Sequence, residues 1–316
     1  MWFKSSLAAI ALGLAAVTAT HAAEEIKMGV SIPAATHGWT GGINFHAQQA
    51  KERLEKQYPN LKIVLVSAPD AARQANDLED LVSIHQIKTL VILPFESDPL
   101  TDPVRQVKQS GVFVTVVDRG LGDPSIQDIY VAGNNPQMGR ISGEYMRKRL
   151  EGKSAKIVVL RGIPTVIDNQ RFDAFMKAIK GSDIEVLASQ YANWNRDDGF
   201  KVMQDFLARF PEIDAVWAQD DDISLGAMEA IRQAGRQDKL FVVGGAGMKD
   251  IVKRVMDGDK LIPVDVTYPP TMIADAMEIT AGKMAGGKET KKEYIIDSVL
   301  ITPENAKQFY YPDSPF

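Results

Sequence analysis

The sequence contains no cysteine among its 316 residues. It therefore forms no disulfide bonds, offers no thiolate as a nucleophile or metal ligand, and has no thiol that could carry a lipid. Histidine is also scarce, and His37, His46 and His85 are too dispersed to predict a metal site. The net charge is −5, so the chain lacks the basic surface of a protein that binds nucleic acid. Any chemistry must come from carboxylates, guanidinium groups, amides, hydroxyls and aromatic rings.

Long hydrophobic runs are missing as well, and the longest one lies near the N-terminus. Lys4 is followed by an apolar run from Leu7 to Val17, and Thr20 and Ala22 are the small residues that precede a signal-peptidase cut. This pattern in residues 1–22 predicts a secretory signal peptide that is cleaved near Ala22. The run is shorter than the roughly 20 residues of a membrane span, and no later segment approaches that length. We therefore expect an exported protein without a membrane anchor.

Several motifs of enzymes and cofactor sites are absent. There is no G-x-S-x-G elbow and no phosphate-binding loop, and in GGAGMKD (244–250) Asp250 stands where the dinucleotide fingerprint needs its third glycine. The run Asp220-Asp221-Asp222 is not followed by the alternating oxygen ligands of a calcium loop. A carboxylate pair for glycoside hydrolysis is assembled in three dimensions and stays open as an alternative. The sequence favours a binding protein that is not an enzyme and holds no cofactor or metal.

Short β-branched runs alternate with amphipathic segments along the whole chain after residue 25. In the first amphipathic segment, Ile43, Ala47, Ala50 and Leu54 recur at spacings of three and four and predict one apolar helix face. The predicted strands are continuous apolar runs, which is typical of parallel sheets covered by helices on both faces. They are 26–33, 61–68, 89–94 and 112–118 in a first series, and 155–162, 183–190, 214–220 and 239–245 in a second. The pattern predicts a parallel α/β sheet built twice.

Two segments are predicted to connect these halves. Residues 122–139 are rich in Gly, Pro, Asp and Asn, and 261–270 end in a proline pair that cannot continue a helix. The tail from residue 301 is rich in turn residues and aromatics, and we expect it to pack as a closing strap.

Polar and aromatic residues follow the predicted strands at their carboxyl ends. In open parallel sheets, ligands bind outside these ends, so the residues there are candidates for a site. They are His37 and Trp39 after the first strand, Asp118 and Arg119 after the fourth, Arg161 with the nearby helix residue Arg171, Trp194 and Arg196, Asp220 to Asp222, and Gly245 to Gly247.

The chemistry of this set indicates a polyhydroxylated ligand. Tryptophan rings provide flat apolar faces, while carboxylates and guanidinium groups accept and donate hydrogen bonds in fixed geometry. Sugars and sugar alcohols have the complementary mixture of C–H faces and hydroxyl groups. A phosphorylated ligand would instead call for a glycine-rich anion nest or a cationic cluster, which this set lacks. We assign Asp221 and Asp222 to a helix start, where carboxylates favour the helix dipole.

The sequence resembles the ribose-binding-protein type of periplasmic substrate-binding proteins, which serve ABC importers. The resemblance spans essentially the whole mature chain and is carried by VVDRG (116–120), NQRFDAF (169–175) and AQDDDISLGAMEAI (218–231). It implies a type I periplasmic binding protein with two doubly wound, Rossmann-like parallel-sheet lobes joined by a hinge. It also implies ligand-binding roles for His37, Trp39, Asp118, Arg119, Arg171, Trp194, Asp220 and Thr267.

The sequence departs from this family at three positions. Asp220 stands where ribose binders usually have Asn, which turns a donor and acceptor into an acceptor. Ala246 stands where the family places an Asp on the ligand, and Thr267 falls near the position of a hinge Gln. The ligand expected from the resemblance is therefore a small sugar or polyol, with ribose, another pentose, a hexose and a linear polyol all open.

The resemblance also implies an organisation and partners. The first lobe is expected to comprise residues 23–131 plus 268–297, and the second 132–267 plus 298–316. Export without a lipid anchor favours the periplasm of a Gram-negative cell. The expected partners are the sugar or polyol and an ABC transporter permease, with the protein a monomer. A receptor that presents its ligand to a chemoreceptor or sensor kinase is the alternative. A sugar-responsive repressor is excluded, because the signal peptide occupies the place of its DNA-binding domain.

Overall fold

The computed structural model describes residues 24–316, so the predicted signal peptide lies outside the described residues. Strands and helices alternate along this part of the chain, as the sequence pattern predicts. No helix within residues 24–316 is long and apolar enough to cross a membrane. The strands are β1 (Ile26–Pro33), β2 (Leu61–Ala68), β3 (Thr89–Ile92), β4 (Phe113–Val117), β5 (Ile129–Gly133), β6 (Ala155–Arg161), β7 (Ile184–Tyr191), β8 (Ala215–Ala218), β9 (Phe241–Val243), β10 (Asp265–Val266), β11 (Glu293–Ile296) and β12 (Leu300–Ile301).

The helices cover the faces of two sheets. They are α1 (Gly38–Gln57), α2 (Ala71–Ser83), α3 (Ser97–Gln109), α4 (Asn135–Arg149), α5 (Val166–Ile179), α6 (Arg196–Arg209), α7 (Asp221–Gln233), α8 (Lys249–Met256) and α9 (Met272–Met284), with short 3-10 helices at Pro124–Ile126 and Ala306–Gln308. The predicted apolar face of α1 is buried at all of its four positions.

Each lobe is built on one parallel sheet. The first sheet has the strand order β11-β5-β4-β3-β1-β2, and the second has the order β7-β6-β8-β9. All pairings within both sheets are parallel. The reversal of strand order in each sheet is that of a doubly wound fold, in which the carboxyl ends of the strands form a crevice. The predicted fold class is therefore confirmed.

The chain passes between the lobes at three places. Residues 129–133, which we assigned to a connection, form β5 in the first sheet, so the first crossing comes after Gly133, two residues beyond the predicted boundary at 131. The second crossing follows β10, and the third lies between β11 and β12. The strands β10 and β12 of these two crossings pair with one another in an antiparallel way. The strand IYVAG was missed because it is short and surrounded by turn residues.

The C-terminal tail touches both lobes. Phe309 and Tyr310 pack against the core of the second lobe, whereas Phe316 is buried in the core of the first lobe with residues of β1 and α1. The Lys249 ammonium of the second lobe donates to the Ser314 carbonyl at 2.6 Å. The tail was assigned wholly to the second lobe, and its last residue instead lies beside Gly42 of α1.

Two fully buried carboxyl groups meet beneath the second crossing. Asp221 accepts from the backbone N–H groups of Gly245 (3.0 Å) and Met248 (2.8 Å), and Asp265 accepts from Gly247 at 3.0 Å. The two carboxyl groups also hydrogen-bond one another. Burial raises the pKa of Asp265 to about 7 and raises the pKa of Asp221 as well. The pair therefore holds a proton that the unfolded chain releases.

This proton predicts a pH dependence of stability. A carboxyl group whose pKa is raised on folding stabilises the native state below its unfolded pKa of about 3.9, and that contribution is lost as the pH rises through about 7. We expect the melting temperature to fall between about pH 5 and about pH 8. Asp265→Asn should flatten this dependence, and Asp257→Asn, at an exposed ion pair with Lys253, should leave it as in the wild type. Equal slopes for wild type and Asp265→Asn in calorimetry would contradict this account of the pair.

Candidate ligand-binding site

A cavity lies between the two lobes, at the carboxyl ends of both sheets. All of the predicted site residues except Thr267 line it, and they come from both lobes. The lining residues are His37, Trp39, Asp118 and Arg119 from the first lobe, Ile167, Arg171, Trp194, Asp220, Gly245 and Ala246 from the second, and Tyr268 from the crossing between them.

Thr267 lies on the crossing but outside this cavity. Its hydroxyl accepts from the backbone N–H of Val299 at 2.9 Å, so it joins two of the segments that connect the lobes. The neighbouring residue Tyr268 takes the place in the cavity that we expected for Thr267. The resemblance places the position correctly only to within one residue, because nothing in a short connection sets which side chain faces inward.

Asp118 has a backbone conformation that residues other than glycine rarely adopt. Its φ is +63°, in the left-handed region, and it directly follows β4. Its backbone N–H donates to the Val131 carbonyl at 2.9 Å, and the Tyr130 hydroxyl donates to its carbonyl at 2.5 Å. Such strained positions persist when surrounding contacts hold them, and they cluster at functional sites. The turn directs a buried carboxylate into the cavity.

A chain of hydrogen bonds joins the lobes behind this carboxylate. The Arg171 Nε–H donates to Asn135 Oδ1 at 2.8 Å, the Asn135 amide donates to the Tyr268 hydroxyl at 3.1 Å, and that hydroxyl donates to Asp118 Oδ1. Arg171 also donates to the Gln219 carbonyl at 3.0 Å. Neither Asn135 nor Tyr268 was among the predicted residues. Their only signal in the sequence is their place in the two predicted connections.

Arg119 and Trp194 form another part of the wall. The Arg119 guanidinium is buried, donates to the Phe95 carbonyl, and lies 5.0 Å from the centre of the Trp194 ring. Trp194 has a φ of +49°, and its ring lies so close to Gly162 that a side chain there would collide with it. The Nε–H of Arg119 and the indole N–H of Trp194 are buried without a hydrogen-bond partner among residues 24–316. Both donors are thus available to a ligand.

Trp39 and His37 come from the start of α1. The Trp39 indole N–H donates to the Tyr268 carbonyl at 2.9 Å, which leaves its ring as an apolar wall. Burial and the charge of Arg119 lower the pKa of His37 to about 3, so this imidazole is neutral. Its Nδ1 is buried with no partner in the described part of the chain. A neutral imidazole can accept from or donate to a hydroxyl group.

Asp220 is both a helix cap and part of the cavity wall. Its Oδ1 accepts from the N–H groups of Asp222 (2.8 Å) and Ile223 (3.2 Å) and so caps α7. Burial raises its pKa well above the usual range, and the neighbouring carboxyl groups of Asp222 and Asp221 raise it further. A protonated carboxyl both donates and accepts. In that form Asp220 would offer what an Asn offers, and in its ionised form it is the acceptor that the sequence predicts.

Asp222 does more than start a helix. Its Oδ2 accepts from the backbone N–H of Gly38 at 2.6 Å, and its Oδ1 accepts from Arg196 at 3.1 Å. Gly38 is the first residue of α1, whose initial N–H groups have no partner within the helix. A carboxylate of the second lobe thus caps a helix of the first lobe. This contact exists only when the lobes are together.

The arrangement can bind hydroxyl groups from several sides. Asp118 and Asp220 offer oxygens, Arg119 and Trp194 offer free N–H donors, and the two tryptophan rings supply apolar faces. Within residues 24–316 there is no group of three or more His, Cys, Asp or Glu that could hold a metal ion. The site fits a neutral ligand with many hydroxyl groups.

The raised pKa of Asp220 predicts the effect of its replacement. Asp220→Asn keeps a good helix cap and the same donor and acceptor, so we expect ligand affinity within about threefold of wild type. Asp220→Ala removes both and should weaken binding at least about tenfold. In wild type, affinity should fall as the pH rises through the raised pKa, and in Asp220→Asn this fall should be absent. Calorimetric titration of both variants at several pH values measures this, and a large loss in Asp220→Asn would show that the negative charge is needed.

The contact between Asp222 and α1 predicts that removal of the Asp222 carboxylate weakens ligand binding. Loss of a helix cap costs about 1 kcal/mol, so Asp222→Ala should weaken binding about fivefold by destabilising the closed arrangement. Asp197→Ala, at an exposed position in the first turn of α6, is the matched control and should leave affinity unchanged. Equal affinities of the Asp222 variant and wild type in calorimetric titration would show that Asp222 contributes to the start of α7 and not to ligand binding.

Comparison with known proteins agrees with this architecture. The family described as periplasmic binding protein domain matches residues 28–289. The ribose import binding protein of Escherichia coli is 33% identical over 256 residues, covering 81% of this chain and 84% of that protein. A xylitol-binding protein of Mycolicibacterium smegmatis is 28% identical, covering 78% and 70%.

A solved structure shows the same fold. The fructose-binding periplasmic domain of a hybrid two-component system superposes with a TM-score of 0.82 at 26% sequence identity, covering 90% of this chain and 93% of that one. Together with the sequence match over most of the chain, this leads to one conclusion. The chain belongs to the periplasmic binding protein family.

Proposed function

We propose that this protein captures a small sugar or sugar alcohol between its two lobes and delivers it to the permease of an ABC importer. The observation that carries the proposal is the cavity itself, whose wall comes from both lobes and the crossing between them. A ligand that contacts Asp118 on one side and Asp220 on the other stabilises the closed arrangement, because it binds that arrangement better than the open one.

The class of ligand follows from the groups that face the cavity. Buried polar atoms without partners are costly, so the free N–H groups of Arg119 and Trp194 favour a ligand that satisfies them. Two aromatic rings favour a ligand with C–H faces. A sugar or polyol meets both demands. Relatives named for the import of ribose and for the binding of xylitol support the same class.

Several further features belong to this proposal. The protein is exported to the periplasm after cleavage near Ala22, acts as a monomer, and releases its ligand chemically unchanged. N-terminal sequencing of the exported protein tests the cleavage, and recovery of the intact ligand after prolonged incubation tests the absence of turnover. Stimulation of ATP hydrolysis by a reconstituted permease tests the partner.

A sensory role is the second candidate. The similarity to the fructose-binding periplasmic domain of a hybrid two-component system favours it, since the same fold there belongs to a signalling protein. The two roles require the same cavity and the same closure. They differ in the membrane partner, so ligand-dependent binding to a permease or to a sensor kinase separates them.

We expect a polyhydroxylated ligand to stabilise the protein strongly. A ligand at 100 times its dissociation constant adds about 2.7 kcal/mol to the free energy of unfolding. Thermal-shift screening against pentoses, hexoses, alditols and inositols should identify it, and titration calorimetry should then give its affinity.

Asp118→Ala and Arg171→Ala should each weaken binding at least about tenfold, since a charge-assisted hydrogen bond is worth roughly 1.5–3 kcal/mol.

Exposed residues of the same types serve as controls. Asp102→Ala and Arg209→Ala, on the surfaces of α3 and α6, should bind as wild type does. If no sugar or polyol raises the melting temperature, or if one is converted to a product, the proposed function is wrong.

A further inference from the structure

The Trp194 ring lies directly on the backbone of Gly162. An added Cβ at position 162 would overlap the indole nitrogen and the adjacent ring carbons Cε2 and Cζ2 of Trp194. Gly162 follows β6 and Trp194 follows β7, and these two strands pair with one another in the second sheet. The bare backbone of a glycine is thus the surface on which the indole rests. The position of Gly162 therefore determines where this part of the cavity wall lies.

The loop that carries Trp194 has a conformation that needs support from its neighbours. Asn193 and Trp194 have φ values of +54° and +49°, in the left-handed region that residues other than glycine rarely adopt. The Ala192 N–H donates to the Arg161 carbonyl at 2.8 Å, and the Asn193 N–H donates to the Gly162 carbonyl at 3.1 Å. Such strained positions persist only where surrounding contacts hold them. The loop therefore depends on the backbone of residues 161 and 162.

The Asp168 carboxyl group fixes this backbone. Asp168 is fully buried in the first turn of α5. Its Oδ1 accepts from the Gly162 N–H at 3.0 Å, and its Oδ2 accepts from Nε of Arg161 at 2.9 Å and from a terminal nitrogen of the same guanidinium. That guanidinium lies 4.2 Å from the centre of the Phe172 ring and 4.8 Å from that of Tyr191. One carboxyl group thus holds both the side chain of residue 161 and the backbone of residue 162.

We propose that Asp168 is a positioning residue for ligand binding, whose carboxyl group holds the Trp194 indole in the cavity wall through the backbone of Gly162. Asp168 itself lies outside the cavity, whereas Trp194 lines it, so Asp168 acts through the indole and not by contact with a ligand. The inference rests on the proposed function and adds a residue to the machinery of the same cavity. Without the carboxyl group, the Gly162 N–H loses its acceptor and the surface under the ring is free to shift.

The position of the Trp194 ring is measured in the protein without ligand. In a two-dimensional proton–nitrogen NMR spectrum, its indole N–H signal is identified by its loss in Trp194→Leu. We expect Asp168→Ala to shift or broaden this signal. The Trp217 signal should stay in place, because that ring stacks on Phe175 at 4.0 Å in the core of the second lobe. Asp173→Ala, at an exposed position on the same helix, is the matched control and should change neither signal.

A second experiment measures whether Asp168 affects binding through Trp194. Titration calorimetry uses the pentose, hexose, alditol or inositol that raises the melting temperature most. Asp168→Ala, which frees the loop, and Gly162→Ala, which pushes the ring away, should each weaken binding at least about fivefold. In the Trp194→Leu background each change should alter affinity by less than about twofold, because no indole remains to be positioned.

A conservative variant keeps the test decisive if Asp168→Ala does not fold. Asp168→Asn retains the size of the side chain but has one acceptor oxygen for two donors, the Gly162 N–H and the Arg161 guanidinium. It should weaken binding about threefold or more, and this loss should also disappear in the Trp194→Leu background.

The outcomes separate this inference from the proposed function. An unchanged Trp194 signal or wild-type affinity in the folded Asp168 variant would overturn the inference while the binding of sugars stands. Equal losses of affinity with and without the indole would show that Asp168 supports the second lobe in general and does not position Trp194. If wild type binds no compound of the panel, the proposed function fails and this inference fails with it.

Discussion

A chain of hydrogen bonds through Asp118 and the Tyr268 hydroxyl joins the two lobes behind the cavity. It continues through Asn135 to Arg171, so a single chain runs from a strand end of the first lobe, through the crossing, to α5 of the second. Each member satisfies a buried polar group of the next. Removing one leaves its neighbours unpaired, which costs more than the bond itself contributes. The site and the junction between the lobes are therefore one structure.

Buried charged side chains and strained backbone conformations lie together in this region. The rest of the fold must offset their cost in free energy. Asp118, Arg119 and Arg171 are all nearly fully buried, and burying charges is costly unless they are paired. Asp118, Asn193 and Trp194 also have positive φ values without being glycine. Two continuous parallel sheets with covered faces supply the apolar burial that supports these features. A site built this way is prepared for a ligand before the ligand arrives.

Much of the fold could be predicted, because strands of parallel sheets are continuous apolar runs and ligand sites lie where those strands end. That reasoning placed Asp118, Arg171 and Asp220 at one cavity. It missed β5, whose apolar run is short, and it missed the roles of Asn135 and Tyr268. Those roles come from partners 133 and 150 residues apart in sequence, and the contact of Asp222 with Gly38 spans 184 residues. Such pairings depend on the relative position of the two lobes, and local sequence patterns do not predict that position.

A crystal structure of the protein with its ligand bound tests the central claim most directly. The account predicts a ligand between the lobes, with hydroxyl groups within hydrogen-bond distance of Asp118 Oδ2, Asp220 and the Arg119 Nε. It also predicts that the Tyr268 hydroxyl still donates to Asp118 Oδ1 in the complex. A ligand bound elsewhere on the protein, or a Tyr268 ring that has swung out of the cavity to admit the ligand, would contradict it.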